Sequence, residues 1–216
     1  MMDKEGFGGS DMSNANLCGA DLRNDDLSRA RLRGANLQNA DLAEANLRGA
    51  DLRSAFLVEA NLAGAHMEQA DLRGADLRGA NMQGVALEGA KLRGATLVDV
   101  AATNFRGQFA NASLRDACLT DADLCDAVLV DIDLDNASLC DANLAGADLR
   151  AAQLRGARLN GANLRRAKLN GAVLQAADLR GADLQEADLD RATFDVLTQW
   201  PEGFTPQAKG AIQVAA

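Results

Sequence analysis

Leucine, or an apolar residue that can replace it, recurs at every fifth position along most of this chain. The series runs from Met12 to Leu97 and again from Leu114 to Phe194. Alanine usually stands two residues before each member, and Asp or Asn usually stands one residue before it. Glycine often follows two residues later, as at Gly34 and Gly161, which indicates a corner that needs a positive φ.

This spacing fits neither regular secondary structure. An α-helix turns about 100° per residue, so a five-residue step displaces the leucines by about 140° and buries no single face. A strand alternates its faces with period two, so an odd step would put successive leucines on opposite faces. The pattern therefore predicts a chain that turns a corner every five residues and winds into a solenoid, with coils about 4.8 Å apart.

The repeat also resembles a known family. The segments 45–49 (Ala-Asn-Leu-Arg-Gly), 50–54 (Ala-Asp-Leu-Arg-Ser) and 70–74 (Ala-Asp-Leu-Arg-Gly) resemble the A-(D/N)-L-x-x motif of pentapeptide-repeat proteins, and the resemblance covers residues 10–196. It implies an all-β fold, a right-handed quadrilateral parallel β-helix with four pentapeptides per coil. The central Leu and the preceding Ala would point inward. The number of repeats predicts about nine coils.

The period divides the chain into three parts. We expect a flexible N-terminus at residues 1–9, the β-helix at 10–196 and a C-terminal cap at 197–216. Leu97 and Leu114 are three steps plus two residues apart, so the β-helix is irregular at 98–113. We expect a bulge or short loop near residues 99–103, with Phe105 and Phe109 adding to the core. A tolerated insertion is the favoured interpretation, and a projection that contacts a partner is the alternative.

The tail leaves the five-residue period. It carries Trp200 and Phe204 and resembles the W-P-x-G-F ending of some bacterial pentapeptide-repeat proteins. Thr205 and Pro206 are typical of a short helix start. A hydrophobic lid over the last coil is the favoured interpretation, because an uncovered β-helix would expose a strand edge. A homodimer surface through Trp200 and Phe204 at this C-terminal end is the alternative.

Three inward positions are unusual: Asp25 replaces Ala near the open end, where hydration would offset its burial, and Val85 and Ile132 are oversized and should distort their coils. On the repeat grid the cysteines are all outward, which predicts free surface thiols and fits a reducing compartment. His66 is expected to be a solvated turn residue. No metal or cofactor is expected. The chain lacks a long apolar run and a signal-peptide core, so we expect a cytoplasmic protein without a membrane span.

Two charged surfaces follow from reading the chain at twenty residues per coil. Arginines directly after the leucine align into a basic stripe, which is either a solvated face neutralised by Asp–Arg pairs or a site for an anionic partner. The basic stripe consists of Arg33, Arg53, Arg73, Arg93 and Arg115. Arg115 joins it if the irregularity adds two residues to one coil. Aromatic residues are not interleaved with the arginines, so direct nucleic-acid readout is not expected.

The second charged surface is an acidic girdle, and its nine aspartates equal the whole net charge of −9. Between its first and last members the sequence contains no Lys or Arg. Such a band repels nucleic acid and favours basic protein surfaces. The acidic girdle consists of Asp116, Asp121, Asp123, Asp126, Asp131, Asp133, Asp135, Asp141 and Asp148.

These patterns favour a non-enzymatic interaction scaffold or adaptor whose protein partner is unidentified. Phe56, Val58 and Val98 occupy outward positions on one face and form a candidate apolar contact patch. The alternative function is a DNA mimic that binds a type II topoisomerase (gyrase) and modulates quinolone or toxin sensitivity. It rests on a distant similarity to the quinolone-resistance members of the family, and the basic stripe departs from a uniformly anionic mimic. A convex, filled solenoid without a nucleophile motif does not favour an enzyme.

Overall fold

The backbone winds into a ladder whose rungs join residues twenty positions apart. In the computed structural model, which describes residues 6–98, 100 and 113–215, Asp11 bridges Arg31 in parallel and Arg31 bridges Asp51. Bridges of the same kind start at Asn16 and Asp21, so successive pentapeptides form successive sides of one coil. The chain is therefore a four-sided parallel β-helix. Its sides are mostly single bridges and not extended strands.

A pentapeptide with Asp or Asn before its leucine can satisfy all of its backbone N–H groups. In the repeat from Asp51 to Ala55, two amides donate to the following coil and one to the preceding coil, at 2.8–3.1 Å. Ala55 donates across its own corner to Leu52 O at 3.0 Å. The remaining amide, that of Arg53, donates to Oδ1 of Asp51 at 3.2 Å. Asp or Asn is common before the leucine because its side chain takes the one amide that the ladder leaves over.

From Gly9 to Arg191, every described corner places one residue in the left-handed region, two positions after the leucine. Ser54 has φ 55° there and Gly74 has φ 67°. Glycine adopts this conformation without steric cost, and Asn and Asp tolerate it better than most residues. The prediction that glycines occupy corners with a positive φ is thus confirmed, and several aspartates adopt the same conformation.

The core is a stack of leucines with alanine between them. Leu47, Ala50 and Leu52 are completely buried, and each buried leucine contributes roughly 2 kcal/mol. Val85 and Ile132 are buried as well. Ile132 lacks the corner hydrogen bond that Ala137 donates to Leu134 O at 3.0 Å, whereas Val85 keeps this bond, to Met82 O at 3.2 Å. The expected distortion is therefore seen at Ile132 and not in this bond at Val85.

The irregularity adds two residues to one coil. Lys91 bridges Ser113 and Thr96 bridges Cys118, a spacing of twenty-two, and Ser113 then bridges Asp133 at the normal spacing. The ladder thus passes the insertion on two sides without a change of face. The expected bulge at 99–103 and the expected core residues Phe105 and Phe109 lie outside the described residues, apart from Val100, which is buried.

The C-terminal end of the rod is covered by the tail. Strand β1 (Thr193–Phe194) pairs in parallel with strand β2 (Ile212–Gln213). Between them a 3₁₀ helix spans Pro206–Lys209, although the Thr205 side chain makes no capping hydrogen bond. Gln199 bridges Asp178, so the next residue, Trp200, occupies the place of a leucine on that side.

We predict that corner glycines differ in their tolerance of a side chain. Gly161→Ala should destabilise the protein more than Gly171→Ala, although φ is similar, 73° and 68°. A Cβ at position 161 would overlap Oδ1 of Asp141, whereas position 171 has no heavy atom within 4 Å. The left-handed conformation alone should cost about 1 kcal/mol. Equal unfolding free energies from urea titrations of the two variants would contradict the role of Asp141.

Candidate functional site

The arginines of the basic stripe form one continuous column. The carbonyls of Arg53, Arg73, Arg93 and Arg115 each accept a hydrogen bond from the coil before, at 2.9–3.1 Å. The two inserted residues therefore fall before Arg115, which keeps its place directly beyond Arg93. The side chains all point outward because the residue after each leucine follows an inward position.

Most of these arginines already have a carboxylate partner. Arg53 binds both oxygens of Asp51 at 2.5–2.7 Å, and Arg73 binds both oxygens of Asp71 at 2.6–2.8 Å. The guanidinium hydrogen bonds hold the pKa of each aspartate below its usual value, although partial burial acts in the opposite direction. Arg93 reaches Asp116 in the next coil at 3.1 Å. Much of the positive charge of the stripe is thus neutralised on the protein itself.

A buried carboxylate interrupts the column after Arg115. Asp135 occupies the next arginine position and is only 6% exposed. It accepts a hydrogen bond from Arg115 at 2.7 Å and one from the backbone amide of Arg155 at 2.9 Å. The Asp135 carboxylate thus links the coils that contain Arg115 and Arg155. The sequence contained a signal for it, since Asp135 follows Leu134 in the position that arginine takes elsewhere.

The acidic girdle separates into three kinds of aspartate. Asp123, Asp133 and Asp148 stand before a leucine, are half-buried, and accept hydrogen bonds from neighbouring amides or side chains. Asp135 is the buried bridge. The other members stand at left-handed corners and are exposed. These corner members are Asp116, Asp121, Asp126, Asp131 and Asp141.

One coil carries aspartate at all of its corners. Asp116, Asp121, Asp126 and Asp131 follow one another at five-residue steps, with φ between 56° and 59°. We call these four residues the acidic ring. Arg93 pairs with Asp116, but among the described residues no Lys, Arg or His nitrogen lies within 4.0 Å of the other three carboxylates. The ring therefore keeps most of its negative charge facing outward on every side of the rod.

The apolar patch is smaller than the sequence suggested. Phe56 is 49% exposed and lies beside the half-buried Val58 in a shallow depression. Val98 lies two coils further along the same column, with Arg78 between it and Val58. Arg78 lies against Asp76, which it binds at 2.6–2.8 Å. The structure brings Phe56 and Val58 together and separates Val98 from them.

The expectation that all four cysteines are surface thiols is wrong for Cys140. The four thiols are free, but Cys140 is only 7% exposed, and its Sγ donates to Asn160 at 3.1 Å. Its position is outward, yet Asn160 of the next coil and Ser138 lie over the short side chain. His66 is partly exposed, and its Nδ1 accepts a hydrogen bond from the Arg48 guanidinium at 3.0 Å.

Among the described residues, no group of three or more His, Cys, Asp or Glu side chains is arranged to hold a metal ion. In the same part of the chain, no helix has the length and apolar character needed to cross a membrane.

The aromatic residues of the tail face the end of the core. The Trp200 ring meets Phe194 edge-on with centroids 5.4 Å apart and stacks on Phe204 at 5.3 Å. Both Trp200 and Phe204 pack against the core and are partly buried. Exposed apolar side chains at this end are instead Val196, Leu197 and Ile212. Dimerisation through the C-terminal end stays a prediction, and these three residues would carry more of the contact.

We predict that stability falls as the pH drops below about 4. Arginine hydrogen bonds lower the folded-state pKa of Asp51, Asp71, Asp76, Asp148 and Asp178. A lowered pKa means that the unfolded state binds more protons, so the stabilisation is present above the unfolded pKa and is lost in acid. Asp71→Asn keeps the side-chain oxygen acceptor and removes the charge. Thermal melts from pH 7 to pH 3 should show a smaller loss for this variant, and an identical loss would contradict the assignment.

Comparison with known proteins supports the interpretation of the repeat. The sequence profile described as Pentapeptide repeats matches eight copies, over residues 7–39, 26–62, 55–94, 132–171 and 157–195, which together exceed half of the chain. No curated protein matches the chain in sequence.

Solved structures also resemble the chain. HetL, a pentapeptide repeat protein involved in heterocyst differentiation regulation in the cyanobacterium Nostoc sp. strain PCC 7120, is 33% identical, with 98% of this chain and 92% of HetL covered and a TM-score of 0.48. Alr5209 from Nostoc PCC 7120 is 40% identical over 47% of this chain and 84% of its own, with a TM-score of 0.47.

QnrB1, a plasmid-mediated fluoroquinolone resistance protein, is 16% identical over 94% of this chain and 88% of its own, with a TM-score of 0.42. The family match confirms the resemblance seen in the sequence and implies a right-handed β-helix solenoid. The chain belongs to the pentapeptide repeat family.

Proposed function

We propose that this protein is a non-enzymatic interaction scaffold that binds a basic surface of a protein partner through its acidic ring. The observation that carries the proposal is the coil with exposed aspartates at all of its corners, of which only Asp116 forms an ion pair within the described part of the chain. A fixed backbone holds these charges in place, so a partner meets a preorganised set of carboxylates. Their outward direction on all sides suits a rod that partners can approach from several directions.

The charge pattern favours a basic partner over an anionic one. The arginines nearest the ring are already bound, Arg115 to Asp133 and Asp135 and Arg93 to Asp116. An anionic partner would have to displace these carboxylates, whereas Asp121, Asp126 and Asp131 form no ion pair with a described residue and can receive the cations of a basic partner. Exposed charges of one sign also raise the rate of encounter with a surface of the opposite sign.

The ring can be tested by removing charge without changing the corner conformation. The variant Asp121→Asn/Asp126→Asn/Asp131→Asn should lose partners in a quantitative affinity capture, because Asn tolerates the left-handed corner and carries no charge. Raising the salt concentration should weaken capture by the unmodified protein in the same way.

A matched control is available at other corners. Glu44, Glu59 and Glu186 have φ between 56° and 60°, so the variant Glu44→Gln/Glu59→Gln/Glu186→Gln changes the net charge equally outside the ring. Equal loss in both variants would mean that net charge and not the ring governs binding. Loss only with Phe56→Asp/Val58→Asp would assign binding to the apolar patch instead.

A second candidate function is binding to a type II topoisomerase as a mimic of duplex DNA. The acidic ring favours it, because the DNA-binding surface of such an enzyme is basic. The paired arginines of the basic stripe, at Arg53 and Arg73, leave that face less positive than its sequence indicates.

Gyrase supercoiling assays decide this candidate. Purified protein at micromolar concentration should inhibit supercoiling or protect it from ciprofloxacin, and the ring variant should do neither. If supercoiling is unchanged by the unmodified protein with and without the drug, gyrase is not the partner, and the scaffold proposal then depends on the capture experiment alone.

A further inference from the structure

The tail is hydrogen-bonded to the last coil on three of its four sides. On one side the Leu179 amide donates to Gln199 O at 2.7 Å, and at a later corner the Arg191 amide donates to Gly210 O at 3.0 Å. On the final side β1 pairs with β2. Among the described residues, no backbone hydrogen bond joins the tail to the remaining side, residues 182–186, which we call the open side. The opening is internal to the chain, because the tail continues past it to the sides that follow.

Three backbone groups of the open side lack their usual partners. One coil earlier, residues 162–166 offer two amides and one carbonyl to the open side, and all three form hydrogen bonds of 2.8–3.0 Å. The equivalent groups of the open side are the amides of Leu184 and Glu186 and the carbonyl of Ala182. None of them has a hydrogen-bond partner in the part of the chain that the structure describes. An extended chain laid along this side would satisfy all three.

The tail bypasses the open side because of its 3₁₀ helix. The Phe204 amide closes the left-handed corner at Gly203, so the leucine position of the next side falls on Pro206. The open side would then need the carbonyls of Thr205 and Gln207. Those carbonyls instead accept amides within the tail, at 3.1 Å each. The tail thus uses within itself the acceptors that the open side lacks.

A cavity of about 330 Å³ occupies the place of the missing strand. The open side and the tail residues Pro201 and Phe204 line it. At its floor Leu184 is 5% exposed, whereas Leu164, one coil earlier, is completely buried. The volume is at the lower end of the range for ligand pockets, so the cavity fits a short peptide and not a folded domain.

The two ends of the cavity carry opposite charges. Glu202 follows the side that is joined through Gln199, so it lies toward the start of the open side. Lys209 precedes Gly210, where the tail rejoins the ladder, so it lies toward the end of the open side. Neither charge forms an ion pair with any residue that the structure describes. The two acids of the open side itself are instead paired with arginines of the coil before, at 3.2 Å and 2.9 Å.

We propose that the open side binds the carboxyl-terminal segment of a partner protein as an added parallel strand. The third-last residue donates to Ala182 O and accepts from the Leu184 amide, and the terminal carboxylate accepts from the Glu186 amide beside Lys209. The bound chain ends there because the tail rejoins the ladder directly beyond the open side. The residue before the last points inward over Leu184 and is apolar, because strand residues alternate in direction. A basic residue before these three lies beside Glu202.

The probe is the peptide acetyl-Lys-Ala-Leu-Ala with a free carboxylate, titrated into the full-length protein. Trp200 is the only tryptophan and stacks on Phe204, which lines the cavity, so its fluorescence should report binding. The same peptide with a carboxamide end should bind roughly two- to fivefold more weakly, as expected from the loss of one exposed ion pair. Equal affinity of the two peptides, or no binding of either at millimolar concentration, would overturn the proposal.

N-methylation separates strand pairing from charge attraction. In the proposed register the amide of the first alanine faces Ala182 O, whereas the leucine amide points away from the open side. Methylation of the alanine amide should weaken binding by up to about tenfold, and methylation of the leucine amide should leave it unchanged. Equal effects of the two methylations would show contact without strand addition and would contradict the proposal.

Variants of the protein locate the site. Lys209→Gln should remove the preference for the free carboxylate, whereas Lys91→Gln, the same change at an exposed lysine of a distant coil, should keep it. A preference that survives Lys209→Gln would overturn the proposal. The variant Asp121→Asn/Asp126→Asn/Asp131→Asn should bind the peptide unchanged, because the open side is separate from the acidic ring. Loss of binding in that variant would assign the peptide to the ring and not to the open side.

Discussion

The structure depends on one constraint, which is that every backbone amide of a five-residue repeat must find an acceptor. The ladder supplies acceptors for four of the five amides, two in the following coil, one in the preceding coil and one across the corner, as in Asp51–Ala55. The Asp or Asn side chain supplies the fifth. Because an unpaired amide is costly, this hydrogen bond favours Asp or Asn before the leucine, although Phe56, His66 and Val128 show that other residues are tolerated there. The frequent aspartates are therefore structural first.

The same ladder decides which charges meet. Residues twenty positions apart are neighbours at about the strand spacing, so a charged side chain can pair with an opposite charge in the coil before or after it. The segment 116–148 contains no Lys or Arg, yet Arg93, Arg115 and Arg150, which lie outside it, bind Asp116, Asp133 and Asp148. Aspartates that are clustered in the sequence therefore lie partly beside arginines in the folded protein. Among the described residues, the corner aspartates Asp121, Asp126, Asp131 and Asp141 form no ion pair, whereas the corner aspartate Asp116 is paired with Arg93.

The ends of the rod follow from the same requirement. A parallel ladder leaves unsatisfied groups at its first and last coils unless something covers them. The tail covers three sides of one end, with Trp200 in a leucine position and a final strand at Ile212–Gln213. Asp178 bridges Gln199 at a spacing of twenty-one, so this side of the last coil has one extra residue. Asp195 accepts hydrogen bonds from the amides of Ala176, Leu197 and Thr198 beside it. At the opposite end, the backbone amides and carbonyls of Asp11 and Asn16 have no backbone partner among the described residues.

The sequence by itself determined the solenoid, its inward leucines and alanines, the glycine corners and the alignment of the basic stripe. A period of five admits no other regular packing, and a side chain's place in the period sets its direction. Only the tertiary structure decided how the outward positions are used. Burial of Cys140 by Asn160, the bridge from Asp135 to Arg115 and the isolation of Val98 all depend on contacts between neighbouring coils. Those contacts depend on which side chains happen to stand twenty residues away and on how each one bends. The five-residue period determines which side chains align at twenty-residue spacing. Local packing decides whether those side chains contact solvent, one another or a partner.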